Sequence, residues 1–391
     1  MDVVDVAVIG AGPAGSAAAL AARRSGASVV LLDRADFPRD KPCGDGIAAH
    51  ALDVLAELGV PDPVAGFAPV PALRLVGPGG GEVVRALPRP AYTVPRRVFD
   101  ARLVAAAVAA GATLRRHTLR RLDIRPDLVV LDGTLAARAV VGADGAGSTV
   151  RRALGFGVNP DRHLALAIRG YAPSGRGPVE QRIVTSGPRW PAYAWMFPVG
   201  WSGPAADRPP GLCGADGGGN VGYGEVLRGQ PLTRAHLLAR LADLLPDLDP
   251  AAVTGLRAHH LPLSTHRPEP GRGRVVLAGD ALSLINPFTG EGIFYAVLSG
   301  SLAGTAAAGA PDRAAEQYRT ALRHRLGRHL RHSSAAAGLA RRRAVVDAAV
   351  YAARRDARVF GTVAELGLGE GLLDARTLTR IGLGLLARAG R

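Results

Sequence analysis

Cysteine is almost absent: 391 residues hold two thiols, Cys43 and Cys213. Two thiols in so long a chain staple very little, which excludes a disulfide framework and suits a reducing cytosol. The opening MDVVDVAVIG lacks the basic start of a signal peptide and runs straight into a strand pattern. No segment reads as a membrane span. Residues 292–310 are uncharged, but their Gly, Ala and Ser content points to a buried, closely packed helix. Zinc-ligand spacing and RNP-like aromatic strands are missing, so no nucleic acid partner is expected and no metal. Aromatic residues are only 5% of the chain, which makes any cluster of them informative. Lysine is scarcest of all. Of 48 Lys and Arg residues, Lys41 alone is a lysine.

What is present is a globular composition: 48% hydrophobic, with 51 glycines and 29 prolines to make turns. The length suits two or three structural units. The net charge of +15 gathers toward the C-terminus, in RHRLGRHLRH (323–332) and ARRRAV (340–345). Such runs read as a solvated helix face, with peripheral contact to an anionic membrane as the alternative.

Residues 4–34 divide into strand, glycine-rich turn, helix and strand. Residues 5–9 are an apolar run typical of a buried parallel strand. Gly10, Gly12 and Gly15 form G-x-G-x-x-G, with Pro13 and Ala14 inside it. The first glycine permits the tight turn, the second a close backbone approach to a pyrophosphate, the third helix–strand packing. The helix start then offers free N–H groups to phosphate. Asp33 ends the second strand, where a carboxylate can accept from ribose hydroxyls, and Arg34 follows it. The pattern predicts dinucleotide binding.

Two later stretches narrow the cofactor. RAVVGADGAGSTVRRALG (138–155) has a strand, then Asp144-Gly145, then a helix start at Ser148. GRGRVVLAGDALSLINPFTGEGIFYAV (271–297) has a strand, Gly279-Asp280, a Pro/Gly loop and a helix. In that order and spacing the chain resembles the flavoprotein monooxygenase-like superfamily of FAD enzymes. The resemblance implies FAD as cofactor, with Asp280 on the ribityl chain, Asp144 in the D-G role and Arg97, in RRVFDARLVAAA (96–107), as a flavin-contacting arginine. No second G-x-G-x-x-G stands between strand and helix. Reducing equivalents are therefore expected from transiently bound NAD(P)H or from a reduced protein carrier. In the loop 286–292, Pro287, Gly290 and Gly292 should let N–H groups approach the pyrimidine end of the flavin.

All three tryptophans fall in WPAYAWMFPVGW (190–201). On a strand, Tyr193, Trp195 and Phe197 share one face, with Ala194 and Met196 on the other. They make either a flat substrate wall or an ordinary core strand. FPRDKPCGDGI, YAWMFP and NPFTGEGI resemble the geranylgeranyl reductase branch of the superfamily, over residues 3 to about 300. That branch implies reduction of carbon–carbon double bonds in an isoprenoid or similar apolar substrate, with hydride from flavin N5. The loop 39–47 would bring Cys43 and Gly44 near the flavin ring. Cys43 is then a site residue or a small buried hydrophobe, and Lys41 a compact charge for an oxygen or for reduced flavin, or simply an exception to the arginine bias. The proton donor stays open among water, Cys43 and a flavin-bound proton. An oxygenase or halogenase on the same fold is the alternative. Halogenases resemble the aromatic strand but place tryptophan first and isoleucine before the proline, where this chain has Tyr193 and Phe197.

The expected fold class is α/β. Residues 1–65, 96–154 and 271–310 would form a discontinuous FAD-binding domain, and 66–95 with 155–270 an antiparallel substrate sheet. Residues 311–391 would form a basic helical region. Residues 233–246 read as an amphipathic helix with Leu237, Leu238, Leu241, Leu244 and Leu245 inward.

Overall fold

The fold is that of a computed structural model describing residues 2–173, 179–205 and 218–389. Cys213, expected to be structural, lies outside the described residues. The chain opens with β1 (Asp2–Ile9), α1 (Pro13–Arg24) and β2 (Val29–Asp33). β3 (Gly46–Ile47), α2 (Ala49–Glu57), β4 (Pro69–Val76), β5 (Glu82–Thr93) and α3 (Arg96–Ala109) follow. β6 (Thr113–Arg116), β7 (Leu122–Ile124), β8 (Val129–Leu131), β9 (Leu135–Gly142) and α4 (Thr149–Ala153) come next. Then β10 (Leu164–Pro173), β11 (Glu180–Thr185), β12 (Ala192–Val199), β13 (Gly218–Val226), α5 (Arg234–Leu244) and β14 (Thr254–Pro262). The chain ends through β15 (Gly271–Arg272), β16 (Val275–Leu277), α6 (Ile293–Gly309), α7 (Ala314–Leu339), α8 (Arg343–Arg355), α9 (Ala357–Leu368) and α10 (Ala375–Ala389).

One sheet runs β15-β16-β9-β1-β2-β6, with β8 and β7 added on β9. Its central strands β16, β9, β1, β2 and β6 are parallel neighbours. Val6–Val8, Val29–Leu32, Ala139–Val141 and Val275–Leu277 are all buried, as unbroken apolar strands of a covered parallel sheet should be. Helices α1 and α6 cross at very short range. A Cβ on Gly300 would lie 2.1 Å from the Ala14 carbonyl oxygen, and one on Gly304 2.1 Å from that of Ala18. That explains the Gly/Ala/Ser composition of residues 292–310.

The second sheet runs β14-β10-β13-β12-β11-β4-β5-β3. It is antiparallel except where β4 meets β11 in parallel. Those strands come from the two separate segments that build this sheet, so no hairpin dictates their direction. β3 joins this sheet although its residues precede position 65. Helix α5 covers one face through Leu237, Leu241 and Leu245, packed with Ile168, Ala194 and Tyr223; Leu238 and Leu244 are only partly buried. Val350, Val359 and Phe360 of α8 and α9 pack on Leu73, Val83 and Ile183. Helices α8 and α9 are therefore a wall of this sheet, whereas α7 packs on α6 and on β15 and β16 of the first sheet, with Tyr318, Leu322, Leu326 and Leu330 in the first core. Among the described residues no helix is long and apolar enough to cross a membrane.

Candidate active site

The β1–α1 turn depends on close approaches. Gly10 has φ +94°, and a Cβ on it would meet the Ala143 carbonyl oxygen at 2.4 Å; one on Gly15 would meet the Gly10 carbonyl oxygen at 1.7 Å. Only glycine fits either position. Gly12 caps α1 with no side-chain hydrogen bond, and the first turn carries no acid. The leading N–H groups and the dipole of α1 are therefore open to an anion. Beside the Cβ position of Gly12 lie Nη2 of Arg39 at 3.5 Å and of Arg96 at 3.7 Å. Buried Asp33 accepts the Ala11 N–H at 2.8 Å and the Ala35 N–H at 2.9 Å. A pyrophosphate fits the helix end between the two guanidiniums, and ribose hydroxyls fit beside Asp33. The residues present suit FAD.

The 39–47 loop folds back from β2 and is tied down along its length. Lys41 Nζ lies 3.2 Å from Asp280 Oδ2, and His259 Nε2 lies 3.8 Å from the same oxygen. Burial alone would raise the Asp280 carboxyl, but Lys41 and His259 outweigh it and hold it well below the usual range. Asp280 is thus an ionised acceptor. Arg169, nearly inaccessible, donates to Asp40 Oδ1 at 2.5 Å and to the Lys41 carbonyl at 3.0 Å. Asn220 Nδ2 donates to the Cys43 carbonyl and to Asp45 Oδ2, both at 2.8 Å, and Asn220 Oδ1 accepts Trp195 Nε1–H at 2.8 Å. The Tyr171 hydroxyl donates to Asp45 Oδ2 at 2.5 Å. Burial pushes the Asp45 carboxyl up to about 6 against Arg169, Tyr171 and Asn220. Burial also pushes the Cys43 thiol up, against the pull of Arg96, so it stays protonated at neutral pH.

Tyr193, Trp195 and Phe197 line one cavity together with Pro13, Lys41, Cys43, Gly44, Arg96, Arg169, His259, Asp280, Gly290, Glu291 and Gly292. Ala192, Ala194 and Met196 point the other way, toward α5. Gly44 lies against this wall: a Cβ there would be in ordinary contact with the Phe197 ring at 3.4 Å and with Trp195 Nε1 at 3.5 Å. The 286–292 loop is organised by buried Asn286, whose Oδ1 accepts the Phe288 N–H at 2.9 Å and whose Nδ2 donates to the Leu366 carbonyl at 2.9 Å. Thr289 Oγ1 donates to the Gly367 carbonyl at 2.6 Å, which fastens the loop to α9. A second cavity, lined by Ile47, Leu73, Leu75, Ile183, Val363 and Leu368, shares Gly46, Phe197, Thr289 and Glu291 with the first.

Residues 3–167 match a family described as FAD binding domain. The menaquinone reductase of Mycolicibacterium smegmatis is 34% identical over 328 residues, covering 76% of this chain and 75% of that protein. The chain belongs to the geranylgeranyl reductase family of FAD-dependent oxidoreductases. Digeranylgeranylglycerophospholipid reductase 1 of Methanopyrus kandleri is another relative, 32% identical over 321 residues, which is 78% of this chain and 80% of that one. A geranylgeranyl bacteriochlorophyll reductase-like protein of Thermoplasma acidophilum shares the fold with TM-score 0.77 over 100% of this chain and 99% of that one, at 19% identity.

Within this geranylgeranyl reductase framework, some expected residues fall elsewhere. On α3, Arg96 rather than Arg97 faces the cavity. Arg96 is buried and bonds Asp100 at 2.6 and 2.8 Å, whereas Arg97, one position round the helix, is exposed. Asp144 abuts Gly10 through its backbone, but its carboxylate accepts from Ser148 Oγ at 2.5 Å and the Thr149 N–H at 2.6 Å and so caps α4. Pro287 lines a different cavity, beside Trp190 and Phe288. Ala14 and Gly279 are packing positions: a Cβ on Gly279 (φ +59°) would touch that of Ala14 at 3.0 Å. Arg34 lines an open cleft with Arg116, Arg120, Arg121 and Arg125, away from the aromatic wall. Residues that sequence reasoning did not single out include Arg39, Asp45, Arg96, Arg169, Asn220 and Glu291. Asp45 and Glu291 stand inside the quoted motifs CGDG and TGEG; Asn220 and Arg169 carry no local signal.

Proposed function

We propose that this enzyme reduces carbon–carbon double bonds of a polyprenyl or similar isoprenoid substrate. The observation that carries the reading is the Tyr193–Trp195–Phe197 wall, which faces the cofactor-side cavity and continues at Phe197 into an apolar second cavity. A long, methyl-branched apolar chain can occupy the second cavity and present one alkene to the first. FAD, when bound and reduced, supplies the hydride equivalent to that alkene. The chain's own residues do the rest. The aromatic faces stabilise cationic character developing on the second carbon. The aromatic wall and the apolar lining of the second cavity cover the substrate chain and limit its contact with water. Asp280, kept ionised by Lys41 and His259, would accept hydroxyl hydrogen bonds from the cofactor's sugar-alcohol chain. The electron donor we propose is NAD(P)H or a reduced carrier protein, and the basic exterior supports peripheral contact with an anionic membrane where such substrates reside.

The test is anaerobic. Dithionite-reduced enzyme is mixed with a menaquinone or a geranylgeranyl lipid while flavin absorbance and product mass are followed. Reoxidation with a gain of two hydrogens is expected. Reoxidation only after air is admitted, with a gain of one oxygen, would move the enzyme to hydroxylation.

A further inference from the structure

Glu291 stands where the two cavities meet. It is one of four residues that line both, with Gly46, Phe197 and Thr289, and it alone of these carries an acidic group. A chain threaded from the apolar cavity to the aromatic wall passes this residue. One oxygen is fixed: Oε1 accepts the Phe294 N–H at 2.8 Å at the start of α6. This holds the side chain at the junction rather than letting it swing outward.

Resting on the proposed function, we propose that Glu291 is the proton donor to the alkene. The hydride equivalent from reduced FAD goes to one alkene carbon and the carboxylic acid proton goes to the other. Two C–H bonds form; the π bond, the N–H bond of the reduced cofactor that gives up the hydride, and the Glu291 O–H bond break. The electron pair of that N–H bond leaves with the hydride, so FAD is left oxidised by two electrons and Glu291 as a carboxylate. The Glu291 carboxylate is then reprotonated from solvent.

The surroundings keep an acid there. Burial pushes the Glu291 carboxyl up to about 7, against the Phe294 and Ile293 N–H groups and the charges of His50 and Arg96. Every packed element contributes. His50 on α2 is raised by its hydrogen bond to Glu365 of α9. Arg96 on α3 is engaged by Asp100. Tyr193 on β12 and Tyr295 on α6 are both pushed up by burial and stay neutral, as does the Cys43 thiol. Deprotonation of His50 removes one of the pulls that lower the Glu291 carboxyl. Cys43, the donor considered from sequence, lines the first cavity but not the second.

The test joins two readouts. Infrared difference spectra of the FAD-loaded and the FAD-depleted protein, without substrate, are titrated with acid and base. A protonated-carboxyl band that disappears near pH 7 is expected in the wild type and is expected to be missing from Glu291→Gln, which keeps the α6 cap. Single-turnover reoxidation of prereduced enzyme by a menaquinone is then followed against pH. The wild-type rate is expected to fall about tenfold per pH unit above the titration. Glu291→Gln is expected to be about a hundredfold slower or more and flat with pH. Cys43→Ala is expected to keep the wild-type pH limb whatever its absolute rate. No titrating acid band, or a Glu291→Gln rate and pH limb like the wild type, or loss of the limb in Cys43→Ala instead, overturns the donor role. A wild type that shows the band but turns over no isoprenoid overturns the proposed function and the donor role with it. That result is distinguishable from a missing band beside normal turnover.

Discussion

The ammonium of Lys41 meets a carboxylate that burial would otherwise protonate, and this makes the single lysine of the chain a charge-setting residue. Asp280 keeps its charge because Lys41 at 3.2 Å and His259 at 3.8 Å outweigh desolvation. Replacement by methionine leaves burial opposed by His259 alone, so the carboxyl shifts upward. The sign follows from that direction. Wild-type Asp280, depressed, stays ionised until well below pH 4, whereas in Lys41→Met it begins to protonate at higher pH. FAD affinity is expected to fall about tenfold at pH 7, consistent with loss of about 1–2 kcal/mol of charge-assisted hydrogen bonding. It should weaken further as pH is lowered toward 5, with the wild type nearly constant over that span. A fluorescence titration of apoenzyme with FAD measures both effects, and equal affinities with parallel pH profiles would remove this role from Lys41. The oddity of Lys41 and Cys43 was visible in the sequence because rare residues stand out. Their partners were not. Asp280 is 239 positions from Lys41, and Asn220 is 177 from Cys43.

At the scale of elements, the contact between α1 and α6 decides how the dinucleotide turn is held. Gly300 and Gly304 sit four residues apart, one turn of helix, against Ala14 and Ala18 with the same spacing. A methyl group at 2.1 Å from a backbone oxygen cannot be absorbed by a rotamer change, so the helices must separate. Gly304→Ala is expected to destabilise the protein by about 3 kcal/mol or more and to lower its melting temperature by several degrees, as overpacking of a closed core does. Calorimetry of the FAD-depleted protein reads this without the cofactor's own contribution, and a melting temperature within a degree of the wild type would show that α6 yields freely. The close-packed character of 292–310 was legible from its composition; the identity of its partner was not, since both helices are uniformly small and apolar. A similar limit explains Arg96. Adjacent arginines at 96 and 97 differ by about 100° round the helix, and only the placement of α3 on its neighbours selects the inner one. Asp144 shows the opposite difficulty. Its motif was legible, but Ser148 four residues on supplies the hydroxyl that draws the carboxylate into capping α4. The sheet order could not be read at all where β4 joins β11, because the two strands belong to segments separated by the whole of α3 through α4.

Across the whole molecule, the C-terminal helical region carries both exposed charge and exposed apolar side chains, and its α9 lines the second cavity through Val363, Ala364, Gly367 and Leu368. Arg323, Arg328 and Arg331 of α7 and the following Arg341–Arg343 are exposed. Leu378, Leu383 and Leu386 of α10 are 44%, 54% and 72% exposed. A leucine moved from water into the lipid boundary contributes about 1.5–3 kcal/mol when fully covered, and a basic residue near an anionic surface about 1 kcal/mol. The sum is enough for reversible attachment and far too little for insertion. A polyprenyl substrate has negligible solubility outside a bilayer, so attachment would bring the enzyme to its supply. The protein is therefore expected to sediment with vesicles containing anionic lipid, to release as ionic strength rises past about 0.15 M, where the screening length is about 8 Å, and to bind neutral vesicles weakly. Leu383→Glu with Leu386→Glu should cut anionic-vesicle binding about tenfold or more and raise the KM for a membrane-embedded menaquinone. It should leave turnover of a short-chain, water-soluble analogue unchanged, because neither leucine reaches the aromatic wall. Salt-insensitive binding, or equal loss of activity on both substrates, would show instead that α10 acts only as part of the packed shell behind the second sheet.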